Sequence, residues 1–327
     1  MLRMDGFTVR PARSYPEALA LYQAALERAE DPMYLAGGTD LVPNLKHRIV
    51  KPRALITIGG IAGEVRLEGD ALVIGAGIRL DTLAEDPLVH RHIAPLATAA
   101  NLVAGPQIRT MGTLGGNVLL DTRCLYYNQT EFWRQSLGYC LKAEGTWCHV
   151  IAGPKTCVAT QASDTVPVLL ALGARLRLLG PAGARELAIR DLYRFNGMDH
   201  LQIEKGELLT AIVVPVPGAG FRGSYHKLRT RDSIDFPQLG LAVAGTFSGN
   251  VPTALEIVVG AVNPQPKGVR GLDAFLDQPL DAETIARIAD LVYKQTRPQG
   301  STHGDTAWRR QMAAVYTRRA LVGLAGG

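Results

Sequence analysis

Four cysteines are the residues of this chain best suited to bind a metal. Cys124, Cys140, Cys148 and Cys157 are its only cysteines, and 15, 7 and 8 residues separate them in turn. Thiolates bind iron–sulfur clusters and zinc alike, and four of them satisfy either metal. Structural zinc sites favour closely paired cysteines, which are absent here, so the wide spacing favours an iron–sulfur cluster held by a long loop. Zinc and buried, inert cysteines remain the alternatives.

The same segment is rich in aromatic residues. His149 directly follows Cys148, and with four thiols at hand we expect it to be a neighbour of the metal rather than a ligand. Five further side chains could shield a cluster from water: Tyr126, Tyr127, Trp133, Tyr139 and Trp147.

Two glycine-containing loops are candidates for binding phosphate. Gly37–Asp40 lies between a predicted strand and a predicted helix, where glycines turn the backbone so that successive N–H groups converge. Thr113–Asn117 adds a hydroxyl, two more glycines and a carboxamide. Together the loops could clasp the two phosphates of a dinucleotide, although either could also carry its glycines for conformation alone. Gly75 and Gly77 begin a nicotinamide-type fingerprint, but Leu80 replaces its third glycine and no P-loop exists.

The elements that must position these residues form three predicted units. Ser14 and Glu17 read as a capping box before a helix. Strands are expected near 33–36, 55–58 and 71–77, and helices from Leu41 and over 87–105. The last helix, with Asp305 near its cap, places Trp308, Met312, Val315 and Tyr316 on one face. We expect units at 1–60, 61–218 and 219–327, the last rich in strands.

Composition excludes several classes of partner. The net charge is +5 and the charges are spread along the chain, which predicts an ordinary globular surface rather than nucleic-acid binding. No window reaches the ~18 apolar residues of a membrane span, and the N-terminal residues lack an apolar signal-peptide core. We predict a cytoplasmic protein without membrane partners, where clustered cysteines favour metal over disulfides.

In their order, the motifs resemble the FAD-binding medium subunits of the xanthine dehydrogenase and carbon monoxide dehydrogenase family. The resemblance implies an α+β protein: a PCMH-type FAD-binding domain of two α/β subdomains, then a C-terminal α+β domain with a small antiparallel sheet and helices. The matching segments are YLAGGTDLVPNLK (34–46), IGAGIRLDTLAED (74–86), TLGGN (113–117), SDTVPVLLALGA (163–174), GELLTAIVVP (206–215) and YHKLRTRDSIDFPQLGLAVA (225–244).

The cysteine segment, at about 122–160, narrows this resemblance. Its sequence RCLYYNQTEFWRQSLGYC is similar to the insert of the beta subunit of 4-hydroxybenzoyl-CoA reductase, in which four cysteines carry a [4Fe–4S] cluster. The medium subunits of bacterial aldehyde oxidoreductases have a comparable insert, but continue RCPYFYD where this chain reads RCLYYNQ. The resemblance therefore implies a [4Fe–4S] cluster on the four cysteines and favours the reductase.

The resemblance also implies roles for residues around FAD. Asp164 would accept hydrogen bonds from the flavin's sugar-like chain, although it also reads as a helix cap. Leu208 or Leu209 would pack on the ring. Lys227 would stabilise a reduced flavin, although alternating basic residues also suit a strand's solvent face. Val103 would be an apolar residue near the cofactor. The remaining expected contacts are Tyr34, Leu35, Ala36, Gly37, Gly38, Thr39, Asp40 and Leu41 around the pyrophosphate, with Thr113, Gly116 and Asn117 forming the opposite wall.

By the same resemblance, the chain would transfer electrons and perform no chemistry on the organic substrate. A molybdenum-cofactor large subunit and a [2Fe–2S] small subunit would be its partners, in a dimer of heterotrimers, with ferredoxin as the electron donor. A stand-alone flavin oxidase is one alternative, for which His226 is the only nearby candidate base. A binding protein stapled by zinc is the other.

Overall fold

The computed structural model describes residues 2–153 and 155–326. The N-terminal unit is a parallel sheet in the order β1-β3-β2, covered by helix α1. Ser14 caps α1 by accepting from the Glu17 amide at 3.2 Å, and the Glu17 carboxylate accepts from the amide of Arg13 rather than of Ser14. The elements are β1 (Thr8–Pro11), α1 (Tyr15–Glu27), β2 (Pro32–Leu35), α2 (Leu41–Lys46) and β3 (Ala54–Thr57).

The middle unit holds a five-stranded antiparallel sheet in the order β4-β5-β8-β6-β7. Strand β5 runs antiparallel to both of its neighbours. Gly75 and Gly77 therefore do not lie in the parallel β–α–β unit that a Rossmann dinucleotide site requires. Its elements are β4 (Val65–Glu68), β5 (Ala71–Gly75), α3 (Leu80–Glu85), α4 (Pro87–Asn101), α5 (Pro106–Arg109), α6 (Leu114–Val118), α7 (Glu131–Ser136), a 3₁₀ turn (Leu141–Ala143), α8 (Thr165–Ala171), β6 (Arg175–Gly180), β7 (Gly183–Ala188), α9 (Ile189–Leu192) and β8 (Leu208–Pro215).

The C-terminal unit is an antiparallel sheet in the order β12-β11-β10-β9, backed by two long helices. Helices α4 and α8 of the middle unit pack against this sheet, so the second and third units share one core. The elements are β9 (Phe221–Leu228), β10 (Leu239–Ser248), β11 (Val251–Gly260), β12 (Lys267–Gly268), a 3₁₀ turn (Leu272–Phe275), α10 (Ala282–Gln295) and α11 (Thr306–Ala325).

Helix α11 begins at the predicted cap, where Asp305 accepts from the Trp308 amide at 2.7 Å. The stripe that the sequence singled out is not its deepest face, since Trp308 is 42% exposed. The deepest face carries Arg309, which is fully buried and donates to the carbonyls of Gln238, Ala261 and Gln299. Among the described helices, none is both long and apolar enough to cross a membrane.

Candidate functional site

A cleft of about 380 Å³ opens where the first and second units meet. One wall is the chain from the end of β2 into α2, and the facing wall is the start of α6. The floor is the start of β8. Of the residues predicted to contact FAD, the cleft is lined by Tyr34, Leu35, Ala36, Gly37, Gly38, Thr39, Asp40, Leu41, Val103, Thr113, Gly116, Asn117 and Leu208, and Leu209 joins them.

The glycine loop of the first wall presses against the second unit. A Cβ on Gly37 would overlap the backbone carbonyl of Met111, so only glycine permits this approach. Gly38 has φ +73°, in the left-handed region that glycine favours. Within the described residues, the amides from Gly37 to Asp40 donate no hydrogen bond. They therefore stand ready as donors for an anion.

The facing wall is held by the cap of α6. The Thr113 hydroxyl accepts from the Gly116 amide at 3.1 Å, which fixes the start of the helix. The Asn117 carboxamide oxygen accepts from Ser163 at 2.6 Å and from the Thr165 hydroxyl at 2.7 Å. This orientation leaves the Asn117 amide group as a hydrogen-bond donor for a ligand.

The electrostatics of the cleft are unusual for a site expected to hold an anion. As far as the described residues go, its lining contains no Lys, Arg or His, but it does contain Asp40, Asp121 and Glu207. Each of these carboxylates has a cationic partner from outside the lining. Phosphate binding at this cleft would thus rest on backbone N–H groups and helix starts rather than on basic side chains.

Asp40 stands at the start of α2 and faces the cysteine segment. Arg123 donates to its carboxylate at 2.7 Å, and Asn44 donates at 3.0 Å. Burial raises the pKa of Asp40, and the Arg123 charge opposes that rise. The Arg123 guanidinium also lies over the Phe236 ring, 4.0 Å from its centre.

Asp121 follows α6 and pairs with a buried lysine. The Lys142 ammonium is only 6% exposed and donates to the Asp121 carboxylate at 2.6 Å and to the Thr122 hydroxyl at 2.6 Å. His200 lies 3.7 Å from the same carboxylate. Because burial lowers the pKa of His200, its ring is neutral near pH 7 and Lys142 supplies the positive charge.

Glu207 completes the set at the start of β8. Arg185 donates to both of its carboxylate oxygens, at 2.6 and 2.7 Å, in a bidentate pair. These bonds lower the pKa of Glu207. The charge of all three cleft carboxylates is therefore balanced from behind the lining.

Asp164 and Lys227 do not line the cleft. They form a buried ion pair at 2.9 Å, and Tyr225 also donates to Asp164 at 2.8 Å. Lys227 donates to the carbonyl of Leu102 at 2.8 Å, so the pair supports the cleft wall at Val103 from behind. Burial raises the pKa of Asp164 and lowers that of Lys227.

This geometry argues against the two alternative interpretations, a helix cap for Asp164 and a solvent-exposed strand face for Lys227. Asp164 occupies the position before α8, but its side chain makes no capping bond, and Ser163 accepts from the Val166 amide at 3.2 Å instead. The Lys227 side chain is 1% exposed, so its interpretation as a strand's solvent face is wrong.

The four cysteines converge on one place. Cys124, Cys140, Cys148 and Cys157 are all free and together line a void of about 10 Å³. Burial raises the pKa of Cys124 to about 12 and also raises that of Cys157. Across residues 2–153 and 155–326, however, no group of three or more His, Cys, Asp or Glu is placed so that it could hold a metal ion.

The aromatic residues of the cysteine segment differ in how close they lie to the void. Tyr126 and Tyr127 line it, and His149 lines it while bonding the Tyr139 carbonyl at 2.8 Å. Trp147 is 64% exposed, so it does not shield the thiols from water.

The cysteine insert, residues 122–160, is fastened at its base and flank. Arg123 and Thr160 exchange backbone hydrogen bonds at 2.8 Å, so the two ends of the insert meet. The buried guanidinium of Arg134 donates to the carbonyls of His47 and Arg48, just beyond α2. Insert and glycine loop are therefore attached to the same helix.

A further cavity of about 600 Å³ lies between the insert and the C-terminal unit. It shares Phe236 with the cleft and Cys124 with the void. Sequence reasoning missed Phe236, Asp121 and Lys142, since no local pattern marks a partner so far along the chain. His226, the candidate base, does not line the cleft and lies against Tyr316 of α11, with ring centres 5.9 Å apart.

Comparison with known proteins covers both parts of the chain. Residues 6–217 match the family model described as "FAD binding domain in molybdopterin dehydrogenase", and residues 223–324 match "CO dehydrogenase flavoprotein C-terminal domain". The chain is 30% identical over 320 residues to the carbon monoxide dehydrogenase medium chain of Afipia carboxidovorans, covering 97% of this chain and 96% of that one. It is 32% identical over 306 residues to the aldehyde oxidoreductase FAD-binding subunit PaoB of Escherichia coli K12, covering 90% and 92%.

Solved structures agree along the whole length. The Cu,Mo-CO dehydrogenase, in a cyanide-inactivated form, has a chain that superposes with a TM-score of 0.79 at 28% identity, covering 99% of both chains. A carbon monoxide dehydrogenase from Hydrogenophaga pseudoflava gives a TM-score of 0.79 at 26% identity, covering 98% of this chain and 97% of that one. The predicted α+β fold, with an FAD-binding domain before a CO dehydrogenase flavoprotein C-terminal domain, is confirmed.

Proposed function

The chain belongs to the FAD-binding medium subunits of the molybdenum hydroxylase family, and we propose that it serves a 4-hydroxybenzoyl-CoA reductase. In this proposal it carries FAD and a [4Fe–4S] cluster and passes electrons from ferredoxin towards a molybdenum subunit. There 4-hydroxybenzoyl-CoA would lose its hydroxyl to give benzoyl-CoA. The convergence of all four cysteines on one void beside the cleft supports the cluster. The sequence RCLYYNQ, where the aldehyde oxidoreductases continue RCPYFYD, favours the reductase.

The cleft fits FAD by the chemistry of its donors. The unpaired amides from Gly37 to Asp40 suit the pyrophosphate, and the Asn117 amide offers one more donor from the facing wall. Leu208 and Leu209 supply an apolar surface for the ring. When bound, FAD exchanges one or two electrons and so links one-electron clusters to two-electron chemistry.

The other charged side chains of the site hold the walls of the cleft in position. Lys227 and Asp164 hold the wall at Val103 in place, since their buried pair anchors the Leu102 carbonyl. Arg185 keeps Glu207 charged and fixed at the edge of the cleft. Each of these charged groups is held in an ion pair, which gives it a positioning role.

The cysteine void fits a cluster by its donor set. Four free thiols line the void, and their wide spacing along the chain suits a cluster held by a loop. Cys148 is half-buried, whereas the other three are buried. The lack of a ready ligand set among the described residues means that their Sγ atoms would have to move to meet iron.

The partners follow from the same proposal. A molybdenum-cofactor large subunit and a [2Fe–2S] small subunit would complete a heterotrimer, two of which would form the assembly. Free cysteines in a cluster suit the reducing cytoplasm predicted from the sequence.

A second candidate function is the medium subunit of a molybdenum aldehyde oxidoreductase. The 32% identity to PaoB, whose name describes an aldehyde oxidoreductase, favours it. Electrons would then flow in the opposite sense, from aldehyde to this subunit. The stand-alone oxidase lacks support, because its candidate base His226 does not line the cleft.

Spectroscopy and metal analysis of the purified chain test the cofactors. We expect flavin absorption and about four iron atoms per chain, without zinc. Cys140→Ser should abolish the iron absorption, while FAD still binds when supplied in excess. Zinc without iron would contradict the cluster and support the zinc-stapled alternative.

Activity of the co-purified complex separates the two enzymes. Reduction of 4-hydroxybenzoyl-CoA with reduced ferredoxin, and none with an aromatic aldehyde as electron donor, would support the reductase. The opposite pattern would assign the chain to an aldehyde oxidoreductase.

A further inference from the structure

Two carboxylates of the cleft draw their countercharges from the cysteine insert. Asp40 and Asp121 line the cleft, whereas their partners Arg123 and Lys142 lie outside its lining. Each of these cations lies within two residues of a cysteine. Each ion pair therefore joins a wall of the cleft to the part of the chain that surrounds the void.

Those countercharges matter because the expected ligand of the cleft is an anion. A carboxylate that faces a pyrophosphate without its own cation repels it, and the repulsion is stronger away from bulk water. No basic side chain within the described lining would offset that repulsion. FAD affinity should thus depend on Arg123 and Lys142, although neither lies in the cleft.

The insert that carries both cations has little regular secondary structure. Its described residues, 122–153 and 155–160, contain one six-residue helix, α7, and one 3₁₀ turn. Segments of this kind open locally at low free energy. Lys142 itself lines the void, so a group that ties the cysteines together also holds the backbone that carries this lysine.

We propose that Arg123 and Lys142 are positioning residues that couple the cysteine void to the cleft. A group bound by the four cysteines fixes both cations against Asp40 and Asp121 and thereby strengthens FAD binding. By linkage, bound FAD strengthens the retention of iron by the same factor. This inference rests on the proposed function, because it takes FAD and iron as the occupants of the two sites.

The test measures FAD affinity of the full chain with and without iron, by quenching of flavin fluorescence. Iron is removed by chelation or reconstituted with ferrous iron and sulfide under anaerobic conditions. We expect iron to raise the FAD affinity about fivefold or more, within the usual range of coupling between sites. Iron loss to a chelator, followed with and without FAD, should show the reciprocal factor.

Variants identify the residues that carry the coupling. Lys142→Met should lower the FAD affinity of the iron-loaded chain about tenfold, because it leaves Asp121 unpaired, and should reduce the effect of iron. The double variant Lys142→Met/Asp121→Asn removes that unpaired charge, so it should recover FAD affinity without recovering the coupling. Lys142→Arg keeps the positive charge but changes its geometry. It replaces the methionine variant in these measurements if that variant does not fold.

Two further pairs provide matched controls. Arg185→Met leaves Glu207 unpaired without touching the insert, so it should weaken FAD binding equally with and without iron. Arg175→Met breaks an exposed pair with Glu186, in which neither residue lines the cleft or the void, and should change neither affinity.

The outcomes separate this inference from the proposed function. Equal FAD affinity with and without iron, in a chain that binds both, overturns the coupling and leaves the proposed function standing. Coupling that survives in both Lys142→Met and Arg123→Met overturns the role of these residues. A chain that binds no FAD in either state overturns both proposals.

Discussion

The cleft and the cysteine insert touch each other, yet different parts of the chain hold them together. The cleft is made by backbone: the close approach at Gly37, the free amides beside it and the capped start of α6. The insert is made by side chains, chiefly the buried cations Arg134 and Lys142 that donate to carbonyls and a carboxylate. Short local motifs specify the first, and contacts between distant residues specify the second.

This difference indicates where each region is vulnerable. A site built by backbone tolerates many side-chain changes but not a Cβ where two strands of chain meet. An insert built by a few buried cations should loosen when one of them is removed, while the cleft keeps its shape.

The largest effect should come from the buried pair behind the cleft. Lys227→Met leaves Asp164 without its partner in the interior, so we expect the free energy of unfolding to fall by about 3–5 kcal/mol. Urea denaturation measures the loss. Lys227→Met/Asp164→Asn should recover much of it, and a double variant as unstable as the single one would show that the ion pair is not the reason.

A smaller loss is expected from Gly37→Ala. The new Cβ would overlap the Met111 carbonyl, which typically costs about 1–3 kcal/mol and should abolish FAD binding by moving one wall. Gly60→Ala is the matched control, because a Cβ there meets nothing within 4 Å. Undiminished FAD binding by the Gly37→Ala chain would show that this close approach does not shape the cleft.

Arg134→Met probes the insert in the same manner. The change strips the carbonyls of His47 and Arg48 of a buried donor, at a cost of about 2 kcal/mol. We expect faster hydrogen exchange and proteolysis within residues 122–160, with the β-sheets unaffected. Arg310→Met, on the half-buried face of α11, should leave the insert protected. Exchange that rises throughout the chain would instead mean that Arg134 supports the whole fold.

The smallest effect concerns pH at the edge of the cleft. Arg185 holds the folded-state pKa of Glu207 below its unfolded value of 4.5. The stabilising contribution of the pair is therefore complete above about pH 4.5 and is lost as the pH falls through the folded-state pKa.

Glu207→Gln should remove that part of the acid dependence. Because Arg185 is partly exposed, we expect a difference of less than about 1 kcal/mol between pH 6 and pH 3.5. Urea denaturation at both pH values measures it, and an identical acid dependence in the two proteins would contradict the prediction.

Sequence reasoning reached the cleft because its signals are local. The glycine loop at 37–40 and the segment at 113–117 each combine turn, cap and donor within a few residues, and both line the cleft. The three-unit division at 60 and 218 stays a prediction, as does the binding of FAD by the individual residues. Gly75 and Gly77 follow a strand that runs antiparallel to both of its neighbours, β4 and β8.

The sequence could not predict the ion pairs and buried cations, because their partners lie far away along the chain. Lys142 reaches Asp121 across 21 positions, and Arg185 reaches Glu207 across 22. Arg309 is buried on α11 because three carbonyls from separate loops surround its guanidinium, which no helical pattern announces. The stripe from Trp308 to Tyr316 looked more apolar and yet lies nearer the surface.

The meeting of the insert's ends at Arg123 and Thr160 has a consequence for how such a subunit can change over generations. A segment that leaves and rejoins the fold at adjacent residues can be gained or lost without moving its host, because the cost of closing a loop rises only slowly with length. A shortened chain that joins 122 to 161 should still form its sheets. Arg123 and Lys142 would leave with the segment, so Asp40 and Asp121 would remain in the host as two acids in need of new partners.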